Sequence, residues 1–76
     1  MIKNSDLLVN YMIKEGCTHY ETEICMLALY GLDNIEIGKK LFKSDYTIRN
    51  HLIRILVKLK VETRPKLLFK LLTMFN

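Results

Sequence analysis

The sequence predicts an all-α fold of five short helices. Three observations carry that reading. No segment of the 76 residues alternates apolar and polar side chains in the manner of a strand. Aliphatic residues recur instead at spacings of three and four. Cap signals and glycines cut the chain into helix-sized pieces.

Taken in order, the first helix is expected over roughly 6–15. Ser5 is its candidate cap, and Leu7, Leu8, Tyr11, Met12 and Glu15 form its stripe before Gly16 ends it. "THYE" opens the second as a capping box: the Thr18 hydroxyl takes the Glu21 amide, and Glu21 reaches back. Ile24, Leu27 and Ala28 form its stripe, and Gly31 lies just past its end. "DNIE" repeats the box with Asp33 and Glu36 and starts a third helix, about 34–41, with Ile37 and Leu41 inward. Gly38 inside that helix costs about 1 kcal/mol relative to alanine. Either a close neighbour requires it or the site is exposed and indifferent.

After the short turn "FK", Ser44 caps a fourth helix over about 45–59. Ile48, Leu52, Ile55, Leu56 and Leu59 line its inner face, while Arg49, Asn50, Ile53, Arg54 and Val57 point away. Thr63 caps the last helix, with Pro65 in its first turn, where a missing N–H is harmless. Leu67, Leu68, Leu71, Leu72 and Phe75 already make a full stripe there, and Phe69 and Met74 extend it. That excess suggests a dimer interface through Leu68, Phe69, Leu72, Met74 and Phe75. The alternative is that the first helix covers it within one chain.

Length allows one small domain, and the 50% hydrophobic content is enough for a core. No apolar run is long enough to span a membrane, and the N-terminus lacks a signal-peptide pattern, so a cytoplasmic protein without membrane contact is expected. Cys17 and Cys25 match no zinc or redox spacing and read as small buried thiols, with no metal or other cofactor implied. No Gly-rich phosphate loop, carboxylate pair or nucleophile with its base suggests an enzyme.

Charge is unevenly distributed. Residues 1–33 carry Lys3 and Lys14 against Asp6, Glu15, Glu21, Glu23 and Asp33, a net −3. Residues 34–66 carry nine Lys and Arg against Glu36, Asp45 and Glu62, a net +6. A basic half of this kind suits a polyanion. Taken singly, Arg49, Arg54 and Lys58 read as a solvated helix face, and Tyr11, Tyr20, Tyr30 and Tyr46 as rims of a core.

Two helices joined by a tight turn, the second carrying basic and amide groups outward, describe a helix-turn-helix over 34–59. Arg can bond guanine bidentately, Asn adenine, and Ile53 can touch a thymine methyl group. Arg49, Asn50, Ile53 and Arg54 are therefore the candidate base readers. Thr47, His51, Lys58 and Arg64, with Asn34, Ser44 and Lys66, are the candidate phosphate contacts.

These motifs together resemble the DNA-binding domain of the LuxR/GerE family of bacterial transcription regulators. Thr18, Glu21 and Glu23 match its opening; "GLDNIEI", "SDYTIRNH" and "KLKVETR" match three further motifs without a gap. The resemblance covers roughly 17–75 and implies a four-helix domain over 17–76, preceded here by an extra helix over 1–16. It implies double-stranded DNA as partner, a homodimer through the last helix, RNA polymerase as a further candidate partner, and a place on the bacterial nucleoid. By the same resemblance Arg49, Asn50 and Ile53 fall at base-facing positions, and Thr47, His51, Lys58 and Arg64 at backbone-facing ones.

Departures from the family pattern are Cys17 for leucine, Tyr20 for a basic residue, Asp33 for serine, Lys43 for an aliphatic, Ile53 for a polar residue at a base-facing position and Lys60 for glycine. Lys43 raises the expectation that one core contact is missing or replaced by Phe42, and Lys60 that a left-handed residue is strained there. With about 16 residues before the domain, the chain resembles small stand-alone GerE-type regulators, controlled without a sensory domain. The rival expectation is an interaction module that keeps the fold, has lost DNA binding and pairs with another regulator.

Overall fold

The computed structural model describes residues 4–75; the outermost residues of the two expected segments, 1–3 and 76, lie outside them. The elements are α1 (Ser5–Lys14), α2 (His19–Leu29), α3 (Asn34–Leu41), α4 (Asp45–Lys58) and α5 (Arg64–Phe75), with no strand among the described residues.

Local chemistry explains most of the boundaries. Both capping boxes form: Thr18 and Glu21 exchange bonds at 3.0 Å in each direction, and Asp33 and Glu36 do so at 2.9 and 2.8 Å. The Ser44 hydroxyl accepts the Thr47 amide at 3.1 Å, and Thr63 accepts the Lys66 amide at 3.3 Å. Gly31 takes φ +93° beyond the α2 C-cap, a left-handed conformation that glycine enters at little cost.

The start of α1 differs from expectation. Ser5 lies inside the helix; Asn4 is the N-cap residue and makes no side-chain cap bond. Its backbone amide donates instead to the Phe75 carbonyl at 3.2 Å. A tertiary contact with the end of α5 thus sets where α1 begins.

One core runs through all five helices. Leu8 and Met12 of α1, Ile24, Cys25 and Ala28 of α2, Ile37 of α3, Ile48, Leu52 and Ile55 of α4, and Leu67, Leu71 and Phe75 of α5 are buried together. The expected stripe on α1 narrows to Leu8 and Met12, with Tyr11 at its edge. Leu7 is 57% exposed, and Glu15 is the exposed C-cap residue. Tyr11 and Tyr20 do rim the core, whereas Tyr30 and Tyr46 are exposed, because each stands at a helix end with no element over it.

Gly38 is required rather than indifferent. It is buried where α3 meets the turn, and a Cβ there would fall 2.5 Å from the Lys43 carbonyl oxygen. The same close approach lets the Lys43 amide donate to the Gly38 carbonyl at 2.9 Å. Phe42, just beyond α3, adopts φ +58° and reverses the chain. It is 92% exposed, so it replaces no core contact; Lys43 is exposed as well. The left-handed backbone points the ring outward. Lys60 also takes φ +58°, as the missing glycine led one to expect.

Candidate nucleic-acid interface

α3, the turn and α4 make a helix-turn-helix, and α2 and α5 pack behind α4. The 14 residues of α4 span about 21 Å, and a helix of that kind fits a major groove. Its inner row, Ile48, Leu52 and Ile55, is buried, which fixes the opposite row in solvent. Arg49, Ile53 and Arg54 are exposed there and Asn50 is half-buried. Among the described residues neither arginine enters an ion pair, so both guanidinium groups are free for another partner.

At the amino end of α4, Ser44 and Thr47 form a small hydroxyl pair 2.9 Å apart. Ser44 accepts the Thr47 amide and donates to the Thr47 hydroxyl, which leaves the Thr47 proton free to donate outward.

Other candidate phosphate contacts are engaged inside the protein. Lys58 Nζ lies 2.6 Å from Glu21 Oε1, and that carboxylate is 3% exposed. His51 Nδ1 is buried without a hydrogen-bond partner, 4.0 Å from Glu21 Oε2, and its ring meets Tyr20 edge-on at 5.1 Å. Arg64 donates to Asn34 Oδ1 at 2.6 Å and to the Leu32 carbonyl at 2.7 Å, tying the head of α5 to the α2–α3 loop. Lys66 leans on Glu62 at 3.3 Å in a solvent-exposed pair. Lys58, Arg64 and Asn34 therefore act first as structural ties.

Glu21 is the residue that sequence reasoning missed as a hub. It closes the α2 capping box and receives Lys58 across 37 positions of sequence. Burial pushes its carboxyl pKa up, but the bonds from Lys58 and the Thr18 amide, with the nearby charges of Lys58 and His51, outweigh burial and hold it below 4.5. A buried acid facing a basic helix is the only sequence signal for such a pair, and it needs the fold to be read.

Cys17 and Cys25 are free and buried. Burial, reinforced by Cys17, pushes the Cys25 thiol up to about 12. No group of three or more His, Cys, Asp or Glu side chains gathers as a metal site among the described residues, and no helix there is long and apolar enough to cross a membrane.

The candidate dimer residues divide. Phe75 is 9% exposed with its ring 5.5 Å from Tyr11, so α1 takes it into the core and removes it from any interface. Leu68 is half-buried against the core. Phe69 at 71% and Leu72 at 37% exposure are neighbours on the outer face, one turn apart. Met74, 48% exposed, lies about 140° round the helix from Phe69 and so on a different flank.

The family model named GerE, for bacterial regulatory proteins of the luxR family, matches residues 17–70, more than half of the chain. No curated protein and no solved structure matches it.

Proposed function

We propose that this chain, which belongs to the luxR family of bacterial regulatory proteins and carries its helix-turn-helix DNA-binding domain, binds double-stranded DNA sequence-specifically as a homodimer. α4 lies in the major groove. Arg49 and Arg54 bond guanine edges, Asn50 bonds adenine, and Ile53 packs on a thymine methyl group. Ser44, Thr47 and the exposed edge of His51 hold phosphates and fix the register. Arg64, Lys58 and Asn34 support that surface from behind.

The observation that carries this reading is the division on α4. Its outward row holds two arginines with no ion pair among the described residues, while Lys58 on the same helix is bound to Glu21. Charges with structural partners explain themselves; among the described residues Arg49 and Arg54 have none.

Phe69 and Leu72, with the exposed part of Leu68, support dimerisation through α5. A two-fold dimer on DNA requires half-sites centred about one helical turn, 34–36 Å, apart or at multiples of it.

Selection from random duplexes tests the proposal. The expected result is a two-fold-symmetric site at that spacing, with log K falling by about 0.9 per phosphate neutralised as salt rises. Failure to enrich any duplex, with retained pairing to another regulator, would favour an interaction module instead.

A further inference from the structure

The turn of the helix-turn-helix carries a feature that neither the core nor the DNA-facing row absorbs. Phe42 holds φ +58° and is 92% exposed. A left-handed phenylalanine costs backbone strain, and full exposure of its ring forgoes all burial. Glycine would make the same turn without either cost. Lys60 shows the contrast: it holds the same φ, but its charged side chain gains nothing from burial.

Phe42 does not stand alone. With Ile35, Gly38, Lys39, Lys43 and Asp45 it lines an open groove of about 560 Å³. Ile35 is 56% exposed, and Tyr46, next along the chain from Asp45, is 66% exposed. Lys39, Lys40 and Lys43 are exposed, and none of them forms an ion pair among the described residues. The patch therefore combines aromatic and aliphatic anchors with unneutralised cations.

We infer that this groove docks an acidic segment of a partner protein, an amphipathic helix that sets an aromatic or aliphatic anchor on Phe42 and Ile35 and carboxylates against Lys39 and Lys43. Charge complementarity selects that occupant. A duplex is the poorer fit: it offers the Phe42 ring little beyond charged backbone. The same patch on a second copy is disfavoured by its like-charged lysines. The inference does not depend on DNA binding, and the peptide measurements that carry its test need no duplex.

The test uses the full chain, isotope-labelled, and two synthetic amphipathic helical peptides that share a Leu/Phe stripe. One has an acidic polar face and the other a lysine face. The acidic peptide is expected to saturate, with chemical-shift changes centred on Ile35, Lys39, Phe42 and Lys43, while the basic one does not bind. Phe42→Gly should weaken the acidic peptide by about tenfold or more. It should also leave the melting temperature unchanged or raised, and affinity for a selected duplex within about twofold, since Phe42 is outside the row placed on bases. Four results would each overturn the inference: no saturable binding, equal binding of both peptides, shifts centred on Arg49, Asn50 and Arg54, or a Phe42→Gly variant that loses duplex affinity but not peptide affinity. The same shifts on concentrating the protein alone would assign the patch to self-association and overturn it too.

Discussion

Two faces of α4 carry cations, and they differ in what those cations meet. On the side toward α2, Lys58 reaches a 3%-exposed carboxylate at 2.6 Å, and His51 turns its Nδ1 toward the same acid. On the outward side, Arg49 and Arg54 meet solvent. One helix thus holds a structural set and a free set within four turns. The lesson is that positive charge on a recognition helix is not uniform evidence of DNA contact, since part of it belongs to the fold.

The largest expected effect comes from the inner set. Lys58→Ala leaves the 3%-exposed Glu21 carboxylate without its cation and should cost about 3 kcal/mol of stability in urea unfolding. Glu21→Ala should cost somewhat less, about 2 kcal/mol, because Lys58 is 31% exposed and can turn to water. If Lys58 served only a phosphate, its removal would leave stability unchanged and lower the salt slope by about 1; that outcome would erase the distinction between the faces.

Acid sharpens the same comparison. The Glu21 carboxyl is held below 4.5 in the folded protein, so its contribution is fully present above that pH. It is lost as pH falls through the folded value. Glu21→Gln should accordingly flatten the loss of stability below pH 4.5. An unchanged acid profile would place the titrating acid elsewhere.

On the outer face, Arg49→Ala should cost about 1–3 kcal/mol of affinity for the selected duplex and relax discrimination at one base pair. Stability should stay within about 0.5 kcal/mol of the parent. An equal loss on every sequence would reassign Arg49 to phosphate.

Gly38→Ala tests the frame that holds the two faces apart. The Cβ would meet the Lys43 carbonyl at 2.5 Å. Overpacking of about 1–3 kcal/mol outweighs the gain of about 1 kcal/mol in helix propensity, leaving a net loss of up to about 2 kcal/mol in thermal or urea unfolding. A more stable variant would show that the turn moves freely.

The smallest effect concerns Cys25. With its thiol pushed up to about 12, it should resist alkylation in the folded chain at pH 8 and react on unfolding. Mass spectrometry of the alkylated protein distinguishes the two states.

Much of this molecule was legible because its signals are local. Both capping boxes, the Ser44 cap and the Thr63 cap act over three residues, and each forms. The outward row of α4 followed from helical period alone. What escaped the sequence is long-range. Glu21 and Lys58 are 37 positions apart, and Arg64 reaches Asn34 across 30. Nothing local separates these cations from Arg49. Likewise Ser5 has good cap chemistry, but the Asn4–Phe75 bond decides where α1 starts, and α1 then buries Phe75. Gly38 was ambiguous until the Lys43 carbonyl stood above it. Whether Phe42 replaces a core contact was left open, because period and hydrophobicity do not report the backbone hand that turns its ring outward.

The most direct measurement is a titration of the isotope-labelled chain with its selected duplex, followed by NMR at the side chains of α4. The account predicts large shifts at Arg49, Asn50, Ile53 and Arg54, with the Lys58 ammonium and the Glu21 carboxylate keeping their free-state signals. Shifts centred on Lys58, with Arg49 and Arg54 unmoved, would contradict it.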